Sequence, residues 1–184
     1  MWHAVYAFVA LASSVGPEQQ LRASAAARVY VEAEAEAVLA PAVVPVNVEI
    51  ADTFHETVRG MLDRSRTFRQ QCRRIGRASD LVVRVRRWFP QERPGGSAAN
   101  TTIVRRRDGV IEATVLLGAA ADAVELIAHE FEHILEQLDD VDLETLRRRP
   151  GTGVYLNGLS PRFETDRAIA AGRRVAAEVS RAVR

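Results

Sequence analysis

Hydrophobic residues recur along this chain with spacings that alternate between those of helices and those of strands. Between residues 52 and 75 the apolar positions follow helical spacing, and Ser65 marks an expected break. The positions concerned are Phe54, Val58, Met61, Leu62, Phe68, Cys72 and Ile75. The pattern predicts a helix with one apolar face, which can pack against the rest of a domain that begins near residue 43.

Three runs rich in β-branched residues follow this helix and predict strands at residues 81–86, 101–105 and 110–117. An Asp-Gly pair separates the second run from the third, and such a pair is a strong signal for a hairpin turn. Residues 91–100 are rich in proline, glycine and serine, and they predict a loop. The expected order is therefore a helix, a strand and a hairpin.

A second helix is predicted over residues 121–140 by a single apolar stripe. The stripe consists of Val124, Ile127, Ala128, Phe131, Leu135 and Leu138. At about 100° per residue, His129 and His133 lie roughly 40° apart and nearly opposite this stripe. The helix is therefore expected to pack on the sheet with one face and to present both imidazoles on the other.

A last helix is predicted to begin at Ser160 and Pro161, because a capping residue followed by proline is a common helix start. Its small and apolar residues share one face, which would allow another helix to approach closely. They are Ala168, Gly172, Val175, Val179 and Ala182. The same face extends back to Glu164, whose carboxylate would need a strong partner if it were buried. A metal ion, an arginine or the start of its own helix could provide that partner.

The amino-acid composition indicates a globular protein but does not identify a binding partner. The chain has 184 residues, of which 47% are hydrophobic and 27% charged, with a net charge of +1. These values are typical of a globular domain and give no reason to expect a nucleic-acid partner. The arginine clusters at 105–107 and 147–149 are interpreted as solvated rims. Cys72 is the single cysteine, so no internal disulfide can form.

The first 42 residues carry two weaker signals. Residues 1–16 form an apolar run that is too short to span a bilayer as a helix and is similar to the hydrophobic part of a secretory signal, although no Lys or Arg precedes it. The alternative is an N-terminal strand or helix. Export is expected if the run is a signal, and a cytoplasmic location if it is not. Residues 17–42, rich in Ala and Glu, predict a helical or flexible lead-in to a domain that spans residues 43–184.

The strongest chemical signal is the H-E-F-E-H sequence at residues 129–133. Two histidines four residues apart on a helix can bind one metal ion, and a glutamate after the first can deprotonate a water molecule bound to that ion. Two carboxylates are candidates for the third ligand. Glu164 would leave one position for water, and Glu136 lies three residues after the second histidine on the same face. His55 is a lone histidine on a helix flank, which is more typical of a surface residue.

The H-E-F-E-H helix, the hairpin before it and the later glutamate together resemble the zinc metallopeptidases called gluzincins, in particular the small minigluzincins. The resemblance covers roughly residues 50–184. It implies an α+β, zincin-like fold with a backing helix, a small mostly antiparallel sheet, the active-site helix and a C-terminal helix that bears the glutamate. It also implies that His129, His133 and Glu164 bind Zn²⁺ and that Glu130 is the general base.

The chain departs from the gluzincin pattern at one position. Many gluzincins place an aspartate four residues after the glutamate ligand, where it orients a histidine, whereas this chain has Ala168. The partner of His129 is therefore unassigned, with Glu136 or a carboxylate from another segment as candidates.

The resemblance and the intact Glu130 favour a zinc peptidase that acts on peptide or protein substrates. Tyr155, in a glycine-rich loop, is a candidate donor to the oxyanion, the alternative being a tyrosine that only packs the loop. Residues 113–117 are either an edge strand that pairs with an extended substrate or a simple buried strand. Two other functions stay open: a catalytically inactive zincin-like scaffold that binds a partner, and a zinc hydrolase that acts on another amide.

Overall fold

The structure is a computed structural model that describes residues 43–88, 98–118, 122–156 and 162–182. Four predictions concern residues outside this part of the chain: the apolar segment 1–16, the lead-in 17–42, most of the loop at 91–100 and the helix start at 160–161. The described strands are β1 (Val48–Ile50), β2 (Leu81–Arg87), β3 (Ala99–Arg105), β4 (Ile111–Leu117), β5 (Val154–Leu156) and β6 (Phe163–Thr165). The described helices are α1 (Asp52–Arg64), α2 (Arg66–Arg77), α3 (Ala123–Leu138), α4 (Leu143–Arg147) and α5 (Asp166–Arg181). The prediction of an α+β fold is confirmed.

Within the described residues, the main sheet has four strands in the order β1-β2-β4-β3. β2 runs parallel to both β1 and β4, and the antiparallel pairing is the one between β3 and β4. The expectation of a mostly antiparallel sheet is therefore wrong, because the sheet is mixed. The predicted hairpin exists at Asp108 and Gly109, where Gly109 takes a φ of 90°. Other neighbouring strands are separated by helices or by a whole strand, and such long connections allow parallel pairing.

One face of the sheet contributes to the core. Residues of β2 and β4 alternate between buried and half-buried, which is the pattern of a sheet covered on one face. β4 is paired on both sides, so the interpretation of residues 113–117 as a substrate-binding edge is wrong and the buried-strand alternative is correct. Among the described strands, β3 is the long open edge of this sheet.

The predicted break at Ser65 is confirmed, and it divides the first helical region into α1 and α2. Ser65 is buried, and its hydroxyl accepts a hydrogen bond from the backbone N–H of Phe68, so it caps α2. All of the predicted apolar positions in this region are buried, from Phe54 to Ile75. The two helices pack against α3 and α5.

The close approach of α3 and α5 follows from the small residues predicted on the last helix. Ala168 and Gly172 are buried, and a Cβ atom on Gly172 would lie only 2.8 Å from the carbonyl oxygen of Glu125. α3 is held between this contact and the sheet, since it also packs on β3 and β4. The core stripe predicted for α3 faces this interior, with Ile127, Phe131 and neighbouring apolar residues buried.

The prediction that Glu164 lies on the C-terminal helix is wrong. α5 begins at Asp166, and Glu164 lies on the short strand β6, which pairs with β5. Thr165 sets this boundary, because its backbone is extended and its hydroxyl accepts a hydrogen bond from the N–H of Ala168 at 3.0 Å. Threonine is a favoured N-cap residue, and the residue before a cap lies outside the helix.

The surface predictions agree with the structure. His55 is exposed on α1, and its Nε2 lies 2.7 Å from the carbonyl oxygen of Ile50. The arginine clusters at 105–107 and 147–149 are exposed. Cys72 is buried and free, and its burial raises the pKa of its thiol to about 12. Among the described residues, no helix is both long and apolar enough to cross a membrane.

Candidate metal centre

α3 places the two motif histidines side by side at the edge of a cleft. The ring centroids of His129 and His133 lie 4.9 Å apart, and the rings meet edge to face. Both side chains are only 15% exposed. Two imidazoles one helical turn apart, shielded from water and pointing the same way, can act on one ligand together.

Glu164 reaches the same point from a different element. Its strand β6 pairs with β5, and Thr165 donates its backbone N–H to Glu164 Oε1 at 2.9 Å. That oxygen lies 3.2 Å from Nε2 of His129 and 3.6 Å from Nε2 of His133. The structure thus brings together three residues that the sequence separates by up to 35 positions.

Two of the three separations between these ligand atoms match those around a tetrahedral metal ion. Donor atoms at 2.0–2.1 Å from a tetrahedral zinc ion lie about 3.3 Å from one another. The measured separations of 3.2 and 3.6 Å bracket that value, and all three ligand atoms lie within 4.8 Å of one another. His129, His133 and Glu164 could therefore hold a metal ion, and two imidazoles with one carboxylate are a donor set that zinc accepts.

Glu136 lies on the outer side of His133. Its Oε2 is 2.8 Å from His133 Nδ1, and its Oε1 accepts a hydrogen bond from the hydroxyl of Thr165 at 2.7 Å. A carboxylate can only accept, so Nδ1 of His133 carries a proton and Nε2 is the nitrogen that could bind a metal. Both oxygens of Glu136 are engaged in this way, which makes it a partner of His133, whereas Glu164 completes the cluster.

The partner of His129 remains unassigned. Among the described residues, none hydrogen-bonds to Nδ1 of His129. Ala168, which stands where many gluzincins have an aspartate, is buried in the first turn of α5 and offers no polar side chain. Glu136 was a candidate for this role, and the structure places it on His133 instead.

Glu130 is buried at the same cleft. Its side chain is 6% exposed, and it lines the cleft together with both histidines and Glu164. Burial raises the pKa of Glu130 above its usual value, against the opposing charges of His133 and His129. A carboxyl group with a raised pKa beside a candidate metal cluster is suited to accept and return a proton.

The carboxylates and histidines of the cluster shift one another's pKa. Burial opposes charge on His133, but its hydrogen bond to Glu136 and the nearby carboxylates of Glu164 and Glu130 outweigh burial and raise its pKa to about 10. Burial likewise acts to raise the pKa of Glu164, yet the neighbouring imidazoles of His129 and His133 hold it well below its usual value. Either a protonated imidazole or a divalent cation can balance the negative charge of the carboxylates here.

The cleft around the cluster has a volume of about 290 Å³. The edge strand β3 forms one wall of it through Ala99, Asn100, Thr101 and Ile103. The segment from α3 to α4 and the start of β6 contribute Gln137, Val141, Leu143, Arg162 and Phe163. An extended chain could therefore lie along β3 and pass over the cluster.

Tyr155 lies near the cluster but outside the lining of this cleft. It is the register partner of Glu164 in the β5–β6 pair, and its side chain is 42% exposed. Burial and the negative charges of Glu164 and Asp166 raise the pKa of its hydroxyl. The hydroxyl is therefore a neutral donor at physiological pH, and its role in binding an oxyanion stays a prediction.

A second set of side chains, which sequence reasoning missed, fastens α3 from behind. Glu132 accepts hydrogen bonds from Arg167 Nε at 2.6 Å and from Gln71 Nε2 at 2.7 Å, and Arg167 also pairs with Asp139 at 3.0 Å. These contacts join α2, α3 and α5. Glu132 directly precedes His133, so its position near the site could be expected from the sequence. Nothing in the sequence indicated which arginine would pair with it.

The fold and the site define a class: an α+β domain whose H-E-x-x-H helix and a later glutamate form a two-histidine, one-carboxylate centre beside the open edge of a sheet. Comparison of this chain with protein-family models, with curated proteins and with solved structures gave no match.

Proposed function

We propose that this protein is a zinc-dependent peptidase of the gluzincin type. The observation that carries the proposal is the convergence of His129 Nε2, His133 Nε2 and Glu164 Oε1, beside the buried carboxyl group of Glu130. A zinc ion bound there would polarise a substrate carbonyl and lower the pKa of a water molecule.

Glu130 would supply the proton chemistry. It would accept a proton from the attacking water and later return it to the leaving nitrogen of the substrate. A scaffold that binds a metal only for stability needs no such base, and a buried carboxyl group without a function would be costly. The position of Glu130 in the cleft therefore favours an enzyme over an inactive scaffold.

β3 offers the position for an extended peptide. It is the open edge of the sheet, and four of its residues line the cleft. A substrate strand that pairs with β3 would be held by backbone hydrogen bonds regardless of its sequence. This geometry favours a peptide over a small amide, because a small amide would leave the strand edge unused.

The test combines metal analysis with one substitution. The purified chain should contain about one zinc ion per molecule, and Glu130→Gln should lower the cleavage of denatured protein substrates by at least about 100-fold. Glu125→Gln is the matched control, since Glu125 lies on the same helix but does not line the cleft. Absence of stoichiometric zinc, or equal cleavage by the Glu130→Gln protein, would refute the proposal.

A further inference from the structure

Arg162 gives the cleft a positive charge that the metal chemistry does not use. Arg162 is half-buried and lines the cleft beside Phe163 and Glu164. Of the described residues that line this cleft, Arg162 is the one arginine. The chain also contains no lysine in this region, so Arg162 is the natural contact for an anion here.

The position of Arg162 relative to the metal cluster follows from the chain itself. Arg162 directly precedes β6 and stands two residues before Glu164. In an extended segment, side chains two residues apart share one side and lie about 7 Å apart. Since Glu164 turns towards the two histidines, Arg162 can reach groups about two residues along a substrate from the bond at the metal.

Among the described residues, no carboxylate pairs with Arg162, whereas two other arginines have such a partner. Arg167 pairs with Glu132 at 2.6 Å and with Asp139 at 3.0 Å, and Arg74 pairs with Asp139. Among the described residues, Arg162 forms no hydrogen bond or ion pair. A partly desolvated guanidinium favours a planar acceptor that can take two hydrogen bonds, and a carboxylate is the best match.

We infer that Arg162 determines specificity by binding a carboxylate of the substrate, and this inference rests on the proposed function. The carboxylate would be an acidic side chain within about two residues of the cleaved bond, or the C-terminal carboxylate of a short peptide. Apolar residues line the cleft around it, among them Ile103, Val141 and Leu143. The preferred ligand is therefore an acidic group flanked by apolar side chains.

The experiment measures peptide binding separately from cleavage. Zinc-loaded, full-length Glu130→Gln protein would be immobilised and exposed to a randomised decapeptide library. The library would contain two kinds of paired peptides: pairs that carry Glu or Gln at a fixed position, and pairs that end in a free or an amidated C-terminus. Bound peptides would be counted by mass spectrometry. We expect about tenfold enrichment of one carboxylate form. The Glu/Gln arm reports a side chain, and the free/amidated arm reports a chain terminus.

The role of Arg162 is tested in the same background. Adding Arg162→Gln should remove the enrichment, and Arg162→Glu should reverse it in favour of peptides with lysine. Arg148→Gln is the matched control, because Arg148 is an exposed arginine outside the cleft. Circular dichroism would check that each variant is folded.

Equal binding of the paired peptides, an enrichment that survives Arg162→Gln, or no binding of any peptide would each overturn the inference. Its failure is distinguishable from failure of the peptidase proposal. Glu130-dependent cleavage of acidic and neutral peptides at equal kcat/KM would keep the peptidase and remove the role of Arg162. Arg162-dependent binding of carboxylates without any cleavage would keep the role of Arg162 and remove the peptidase proposal.

Discussion

At the scale of single residues, Glu136 shows how one carboxylate can link several parts of a site through its hydrogen bonds. It binds Nδ1 of His133 with one oxygen and the hydroxyl of Thr165 with the other. Thr165 in turn caps α5 and donates its N–H to Glu164. Glu136 therefore connects a histidine of the cluster with the strand that carries the third ligand.

Glu136→Gln should weaken zinc binding by about 10- to 100-fold, because the neutral amide no longer increases the basicity of His133. Competition with a chromophoric chelator would measure the change. Thr165→Val is an informative companion: it removes the hydrogen bond to Glu136 and the cap of α5 but leaves the bond between Glu136 and His133. Its effect on zinc affinity should be smaller. An unchanged affinity in the Glu136→Gln protein would contradict this role.

At the scale of secondary-structure elements, the contact between α3 and α5 depends on a glycine. In Gly172→Ala the new Cβ would lie 2.8 Å from the carbonyl oxygen of Glu125 and 3.2 Å from Cβ of His129. Alanine is the better helix former by about 1 kcal/mol. The steric conflict with the backbone should nevertheless dominate and lower the free energy of unfolding by about 1–3 kcal/mol.

Urea unfolding would measure this change, with Gly60→Ala in α1 as the control. There the nearest atoms belong to the flexible end of Arg64 at 3.9 Å. This substitution should stabilise the protein by about 0.5–1 kcal/mol. If both substitutions stabilise the protein, the helices are not in close contact at Gly172.

A second link between elements is the carboxylate of Glu178, on α5, at the N-terminus of α2. It accepts hydrogen bonds from the hydroxyl of Ser65 and from the N–H and hydroxyl of Thr67 at 3.0 and 2.8 Å. Burial acts to raise the pKa of Glu178, but these hydrogen bonds outweigh it and lower the pKa below its usual value. Negative charge at a helix N-terminus is also favourable.

Glu178→Gln should lower the free energy of unfolding by about 1 kcal/mol at pH 7. Because the folded-state pKa is lowered, the ionised group contributes its full stability above an unfolded-state pKa of about 4.3 and loses it as pH falls through the folded value. The difference between the two proteins should therefore shrink below about pH 4 in urea titrations at several pH values. A difference that stays constant down to pH 2 would contradict the assignment.

At the scale of the whole molecule, metal binding and folding should be linked. The proposed ligands come from α3 and β6, so an unfolded chain cannot present them together. Free zinc at about 100 times its Kd should raise the free energy of unfolding by about 2.7 kcal/mol. Thermal unfolding with zinc and with a chelator would show the shift. It should be absent in His133→Ala, and a shift that persists there would indicate another binding site.

The parts of this fold that depend on local sequence could be predicted from it. Apolar spacing indicated α1, α2 and α3, and the Asp-Gly pair indicated the hairpin, because helical faces and turns depend on residues a few positions apart. The sheet order could not be predicted, since it depends on which strands meet after long connections. The same reason explains why β4 is interior and β3 is the edge.

The site divides in the same way. His129, Glu130 and His133 are neighbours on one helix, and their spacing alone placed them in one cleft. Glu164 was expected to meet them, but as part of a helix. Glu164 is in a strand because its segment pairs with β5 and because Thr165 caps the helix that follows. The helix-like spacing of the residues around Glu164 indicated neither of these contacts.

The two edges of the main sheet have different lengths. β1 has three residues, whereas β3 has seven and exposes Val104. An open strand edge does not distinguish a substrate from a second copy of the same chain. Self-association through β3 would thus occupy the cleft and compete with the substrate in a concentration-dependent way. The exposed arginines at 105–107 oppose this self-association, because they would repel the same arginines of a second copy.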